Sequence, residues 1–286
     1  MNNLKILRQK AINFIHSVWG KDCLGNKELD IDTNNFEEIA NKAFNDLIKG
    51  KNISKKPFIF RIGGQSGSGK TTQLMPSIQY IIDKKQLNFI NISIRFFSVY
   101  HPYYDKLLNE CGKELIREKT NGFALLLAFR VLELLIQNKY NILFEVTLLD
   151  NDFELYLSTL AKKNKYNIHF HVLSVPKIKS DYWIEKRKQS SKTEGRRVVL
   201  KSSSNFFYNI LPTTLSKIIK YSFWNKNDKI FLWTGFLNNP IKYGKISHNK
   251  EILKLFERYR KYSDFQDKDE QELLKNKINW FEKYYV

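Results

Sequence analysis

Apolar positions along this chain fall into two rhythms: short unbroken runs, and longer stretches with apolar residues three and four apart. The runs are Pro57 to Ile62, Asn88 to Ile94, Asn141 to Val146, Asn167 to Val175 and Asp228 to Trp233. They are rich in β-branched and aromatic residues, which predicts buried strands. Helical spacing appears in residues 3–19, where Leu4, Ile6, Leu7, Ala11, Phe14, Ile15, Val18 and Trp19 mark one face. Residues 20–33 read as a connection. Asn34 with Glu37 three positions later reads as a capping box for a helix to about Ile48, which Gly50 ends. Further helices are expected over 71–82, 104–118, 121–137 and 153–163. Pro176 suits a first helical position and opens a helix to about Gln189, followed by a loop from Ser190 to Gly195. Arg196-Arg197 leads into another helix, and residues 249–286 hold two charged, aromatic-bearing ones. Strands alternating with helices predict an α/β fold with a parallel five-stranded sheet, helices on both faces, and extra helices at the two ends.

The first two of these strands and helices frame a specific segment. Gly64-Gln65-Ser66-Gly67-Ser68-Gly69-Lys70-Thr71, followed by Thr72, is a complete G-x-x-x-x-G-K-T phosphate-binding loop between a strand and a helix. In that setting successive backbone N–H groups line one concavity, and the helix adds its positive end and unpaired donors. Lys70 would reach the β- and γ-phosphates of a nucleoside triphosphate, and the Thr71 hydroxyl would ligate Mg²⁺. ATP and Mg²⁺ are therefore the expected ligands.

Composition narrows the picture further. The 286 residues carry 48 Lys plus Arg against 29 Asp plus Glu, a net charge of +19 that favours anionic partners. Most of it is lysine, spread along the chain rather than striped, and no recognition helix or RNA-binding signature is present, so nucleic acid is not the expected partner. Cys23 and Cys111 are isolated, which fits reduced thiols and a cytoplasmic location. The first ten residues are too charged for a signal peptide. The apolar stretch from Phe123 to Ile136 is cut by Arg130 and Glu133 and reads as a core helix, so neither a membrane span nor a membrane partner is expected.

Other residues add chemistry at the same end of the sheet. Glu145 closes the third strand and would project toward the phosphates, to orient an acceptor hydroxyl, to hold the water shell of a metal, or to cap the next helix. Thr147, two residues on, faces the same side if the strand continues. Lys186, Arg187 and Lys188, then Arg196 and Arg197 beyond a Ser/Gly turn, resemble a lid of cations over phosphates or else a solvated face. His101-Pro102 sits among Phe96, Phe97, Tyr100, Tyr103 and Tyr104, either a substrate-facing loop or core packing. His169 and His171 alternate in a strand without a third ligand and read as structural.

At these residues the chain resembles the zeta toxin family of P-loop kinases. The likeness rests on Phe36-Glu37, Leu47 to Lys51, the Gly63-Gly64-Gln65 form of the loop, His101-Pro102, Tyr140 to Thr147, Val175-Pro176-Lys177-Ile178 and Asn209 to Leu215. It covers about residues 36–245 and implies a kinase domain over 34–245, a helical extension over 1–33 and terminal helices over 246–286. The resemblance implies transfer of the ATP γ-phosphate to a hydroxyl of a nucleotide sugar, UDP-N-acetylglucosamine being the usual acceptor, and an antitoxin partner. It also implies Lys70 and Thr71 for nucleotide and metal, Glu145 and Thr147 for the acceptor, and Arg187 with Arg196 or Arg197 as phosphate clamps. His101 and Arg95 fall in the acceptor-facing segment.

Two positions depart from the pattern. Where the family has an aspartate base six residues before His-Pro, this chain has Arg95, and Val146 stands in place of a glycine. A guanidinium, with a pKa above about 12, accepts no proton. Glu145, Asp150 or Asp152 would then take the proton, or Arg95 would bind a more anionic acceptor. The alternative is an ATP-binding regulator with impaired chemistry, and a third reading is a nucleic-acid end kinase or a basic DNA-associated ATPase. Residues 1–33 read either as a built-in inhibitor or as a structural brace.

Overall fold

The computed structural model describes residues 2–23, 33–146, 151–194, 201–221, 224–234, 239–261 and 270–285. Its centre is a six-stranded sheet in the order β2-β3-β1-β4-β5-β6, made of β1 (Phe58–Gly63), β2 (Phe89–Ser93), β3 (Asn141–Val146), β4 (Asn167–Leu173), β5 (Lys229–Trp233) and β6 (Lys242–Lys245). The first five run parallel, at the five predicted places. β6 pairs antiparallel with β5, Leu232 opposite Lys242 and Ile230 opposite Gly244, so the sheet is mixed and not purely parallel. This strand has no readable pattern because it is a short edge with a glycine and two lysines, partly open to solvent.

Each buried strand feeds both faces. Phe60, Ile62, Leu143, Leu173, Phe231 and Trp233 pack on one side under α3 (Met75–Lys84) and α9 (Glu270–Tyr285). Ile59, Ile142, Phe144 and Ile168 pack on the other under α4 (Tyr104–Gln137) and α5 (Asn151–Lys163). Two covered faces explain why these strands read as unbroken apolar runs. β4 and β5 also carry a third cluster beneath α7 (Lys201–Tyr221) and α8 (Lys250–Arg260).

Four helix boundaries differ from expectation. α1 (Asn2–Cys23) runs past the predicted end, and α2 (Thr33–Ile48) starts at Thr33, which puts Asn34 inside the first turn instead of at the cap. The helices expected on either side of 119–120 are one element, α4, broken instead at Gly112 (φ 74°, ψ 173°). The loop expected from Ser190 is helical through Glu194 in α6 (Lys177–Glu194). Gly50 does end α2 with a left-handed backbone (φ 68°). The segment Lys119–Gln137 of α4 is long and apolar enough to cross a membrane, but 78% of its most apolar window is buried inside this fold.

The N-terminal helix is packed against the body of the fold. α1 packs across α4 and α5 through Leu4, Leu7, Ala11, Ile12 and Phe14. Arg8 clamps the buried Glu133 carboxylate through Nε (2.6 Å) and Nη2 (3.0 Å). Glu133 also accepts from Tyr156 Oη (2.5 Å) and Arg130 Nη1 (3.1 Å), and Arg130 reaches Glu37 of α2. One carboxylate thus ties four helices together, well away from the loop at the end of β1. The two strand histidines are core groups as expected: Tyr285 Oη lies 2.6 Å from His169 Nδ1, and Trp233 Nε1 donates to His171 Nδ1 at 3.2 Å.

Candidate functional site

β1 and β3 are neighbours whose outgoing helices, α3 and α5, leave to opposite faces of the sheet. A crevice opens at the carboxyl ends of strands arranged this way, and the glycine loop fills it. Gly64 (φ 151°), Gly67 (φ 70°) and Gly69 (φ 92°) all hold backbones that side-chain-bearing residues resist. Past Gly69 the chain enters a single wide turn, Lys70–Leu74, in which the N–H of Gln73 and of Leu74 both donate to the Gly69 carbonyl (3.0 and 3.3 Å). Such π turns mark functional positions in helices more often than elsewhere. α3 follows with Pro76 in its first turn.

The lysine and threonine of the loop have distinct partners. Lys70 is buried, and its ammonium donates to the carbonyls of Gly64 (2.6 Å) and Gln65 (2.7 Å), which fixes it inside the curve of the loop. Thr71 is exposed at the mouth and donates its hydroxyl to Glu145 Oε1 at 2.6 Å. Glu145 stands opposite Ile62 of β1 and Ser93 of β2, at the tips of three adjacent strands. A hydroxyl and a carboxylate oxygen this close are the hard oxygen donors that Mg²⁺ takes. These two residues fit the ion that the loop motif implies. Thr72 is exposed beside Thr71.

The start of α6 is latched to the outside of the loop. Gln65 Nε2 donates to the Val175 carbonyl (2.6 Å), and Ser180 Oγ donates to the Ser66 carbonyl. Gly67 lies so near that a Cβ there would stand 2.4 Å from the Ser180 carbonyl oxygen. Gln65 Oε1 and Ser68 Oγ are buried without a hydrogen-bond partner among the described residues, polar atoms left for a ligand of the loop. The Val175-Pro176-Lys177 helix start was legible, but nothing in its spacing marks Ser180 as a contact of the phosphate loop.

Other predicted residues divide by position. Arg95 is exposed on the 3₁₀ segment Ile94–Tyr100, two residues past Ser93, with its guanidinium 5.2 Å from the centre of the Phe96 ring. His101 is buried; its Nδ1 accepts from the Tyr103 N–H (3.1 Å), its ring meets Phe123 edge-on at 4.8 Å, and burial lowers its pKa to about 4. That is core packing of a neutral ring, one of the two readings its sequence context allowed. Lys186 lies over Trp183 (4.5 Å) on α6, and Arg187 belongs to the same helix. Asp152 lies in the first turn of α5. Thr147, Asp150, Arg196 and Arg197 fall outside the described residues, as does the side chain of Arg187.

Comparison with known proteins identifies the family and the fold. The family model described as Zeta toxin matches residues 44–235. The chain is similar to Toxin zeta of Streptococcus pyogenes, 27% identical over 188 residues, covering 65% of this chain and 64% of that protein. It is also similar to Toxin PezT of Streptococcus pneumoniae, 32% identical over 146 residues, 51% of this chain and 55% of the other. The chain therefore aligns with less than two thirds of the length of either relative. Among solved structures, one from the PezAT chromosomal toxin-antitoxin system of Streptococcus pneumoniae superposes with a TM-score of 0.63 at 21% identity, over 89% of this chain and 97% of that one. That likeness shows a shared fold. The matched region holds the phosphate loop, Glu145 and the latch of α6, and the chain belongs to the zeta toxin family.

Proposed function

We propose that this protein is an ATP-dependent kinase that moves the γ-phosphate onto a hydroxyl of a small nucleotide acceptor, a nucleotide sugar of the UDP-N-acetylglucosamine type or a related nucleotide. The observation that carries the reading is the 2.6 Å contact of Thr71 with Glu145 at the mouth of the loop. This contact supports the reading because the Thr71 hydroxyl, which the loop motif would assign to a metal, meets a carboxylate that belongs to no nucleotide-binding motif. Acceptor and donor therefore have a shared edge at which to meet.

In this scheme the loop amides and Lys70 hold the β- and γ-phosphates, and Thr71 with Glu145 would hold Mg²⁺, directly or through its water. Bound there, the ion supplies neutralising charge for the phosphate oxygens. The acceptor oxygen forms its bond to the γ-phosphorus while the bond to the β–γ bridging oxygen breaks and ADP leaves. Glu145 orients the acceptor hydroxyl and takes its proton, since Arg95 accepts none. Arg187 of α6, with Arg196 or Arg197 further along the chain, completes the charge on the migrating group. The names of the relatives support a toxin with an antitoxin as partner.

Incubation with ATP, Mg²⁺ and a panel of UDP-sugars and nucleotides, read by mass spectrometry, should yield one phosphorylated product. Lys70→Ala should weaken ATP binding by about ten- to a hundredfold in calorimetry, since it removes a charged hydrogen-bond donor from the phosphates. Unchanged affinity in that variant would overturn the reading.

A second reading, an ATP-binding regulator with impaired turnover, is favoured by one observation. Arg95 stands exposed two residues past Ser93, the β2 residue opposite Glu145, at the position where the family pattern has a base. An Arg95→Asp variant that gains turnover while native protein shows none would select it.

A further inference from the structure

Parallel strands all begin at one edge of the sheet, here the edge opposite the phosphate loop, so the segments that enter them share one surface. The strands β3, β1 and β4 are adjacent in the sheet, and their entering segments are joined by direct hydrogen bonds. The Ser54 N–H donates to the Lys139 carbonyl (2.9 Å), and the Asn167 N–H donates to the Pro57 carbonyl (3.0 Å). The segment entering β2 joins them through Asn88 Nδ2 to the Asn52 carbonyl (2.6 Å).

This surface gathers charge that looked dispersed along the chain. Lys51, Lys55 and Lys56 precede β1, Lys139 precedes β3, and Lys163 and Lys165 precede β4. All six are exposed, and none makes an ion pair among the described residues. No Asp or Glu lies in residues 49–57, 138–140 or 163–166. Lysines at helix C-termini are expected near the negative end of a helix, which accounts for Lys139 and Lys163, but Lys55 and Lys56 follow no helix end. Lys139 (φ 62°) and Lys165 (φ 64°) even occupy left-handed positions of the kind that Gly50 fills after α2.

Two aliphatic side chains stand among these cations. Ile53 is 68% exposed and Leu87 is 41% exposed, on the two segments that Asn88 and Asn52 tie together. We propose that this edge docks on an anionic lipid bilayer surface, with Ile53 and Leu87 entering the headgroup boundary and the lysines meeting lipid phosphates. The chemistry favours lipid over nucleic acid. The same segments carry no arginine and no exposed aromatic ring, the groups that read bases or stack on them. Exposed isoleucine and leucine gain nothing on a phosphodiester backbone but are buried in a headgroup layer. Docked this way, the protein keeps its phosphate loop facing the aqueous side. The inference stands apart from the kinase reading.

The test is co-sedimentation of the full chain with vesicles of phosphatidylcholine alone and of phosphatidylcholine mixed with phosphatidylglycerol. The expected result is selective partition to the mixed vesicles, weakened by salt. Lys51→Gln/Lys55→Gln/Lys56→Gln should reduce partition about a hundredfold, at about fivefold for each lysine. Ile53→Asn/Leu87→Asn, which keeps every charge, should reduce it about tenfold. Calorimetric nucleotide affinity and circular dichroism should be unchanged in both, since every substituted side chain is exposed; a separate Lys139→Gln/Lys163→Gln variant repeats the charge test on independent segments. Equal partition to both vesicle types, or none, overturns the proposal. So does a loss in the lysine variant with none in the aliphatic one while duplex DNA displaces the vesicles, which would assign the edge to nucleic acid.

Discussion

The carbonyl oxygen of Ser180 lies 2.4 Å from the point that a Cβ on Gly67 would occupy. The phosphate loop and the first turn of α6 are therefore in backbone contact, with no room for a single methyl between them. Ser180 Oγ on the Ser66 carbonyl and Gln65 on the Val175 carbonyl hold the two together on either side. The helix that bears Lys186 and Arg187 takes its position from the glycine loop.

Gly67→Ala should accordingly lose nucleotide binding by about a hundredfold or more. The methyl meets Ser180, and the left-handed backbone adds roughly 1–2 kcal/mol of cost for an L-residue. Calorimetry with ATP and a thermal melt measure the two effects. Native-like affinity in this variant would mean that loop and helix separate when nucleotide binds.

Glu145→Gln leaves an oxygen for the Thr71 hydroxyl but removes the charge. Turnover should fall by about 10²–10⁴-fold, with ATP affinity changed only a few-fold. A coupled assay for ADP release beside calorimetry separates these. An equal loss in both quantities would place Glu145 in nucleotide binding alone.

Removal of residues 1–33 should destabilise the protein without raising its activity. Leu4, Leu7, Ala11 and Phe14 cover α4 and α5, and Arg8 neutralises the buried Glu133. Arg8→Ala alone should cost about 1–2 kcal/mol, less than the usual loss on breaking a buried pair, because Arg130 still holds Glu133 and Arg8 is partly exposed. Denaturant unfolding gives the first value and the ADP assay the second. A truncated chain that is more active would revive the inhibitory role.

Acid should loosen the C-terminal helix. Burial, then the nearby Lys229 charge, lowers the His169 pKa to about 3; burial, then His169, takes His171 well below its ordinary value. His101 follows at about 4 through burial alone. The unfolded chain takes up protons below about pH 6.5 that the fold refuses, so stability is full above that value. It declines between about pH 6.5 and 4, by at most about 1.4 kcal/mol per pH unit for each histidine. Trp233 of β5 and Trp280 of α9, in edge-on contact, report the change by fluorescence. His169→Gln should reduce the slope by about a third; an unchanged slope would assign the transition to other groups.

The chain by itself determined the class of fold and the identity of the phosphate loop. Strands buried on both faces must be continuously apolar, and a triphosphate cradle requires glycines at fixed spacing, so Phe58–Gly63 and Gly64–Thr71 carry their own signatures. Glu145 was legible for the same reason: a carboxylate that ends an apolar strand has one place to go. Position in three dimensions decided the rest. Ser180 meets Ser66, and Arg8 meets Glu133 across 125 residues, through contacts that no local periodicity encodes. The edge strand β6 escaped notice because half-exposed, two-lysine strands lack the burial that writes a pattern. The lysines at the far edge show the same limit. Sequence fixes how many charges a chain has, but chain reversal at every crossover decides which of them stand side by side, because the strands run parallel and their entries share one edge.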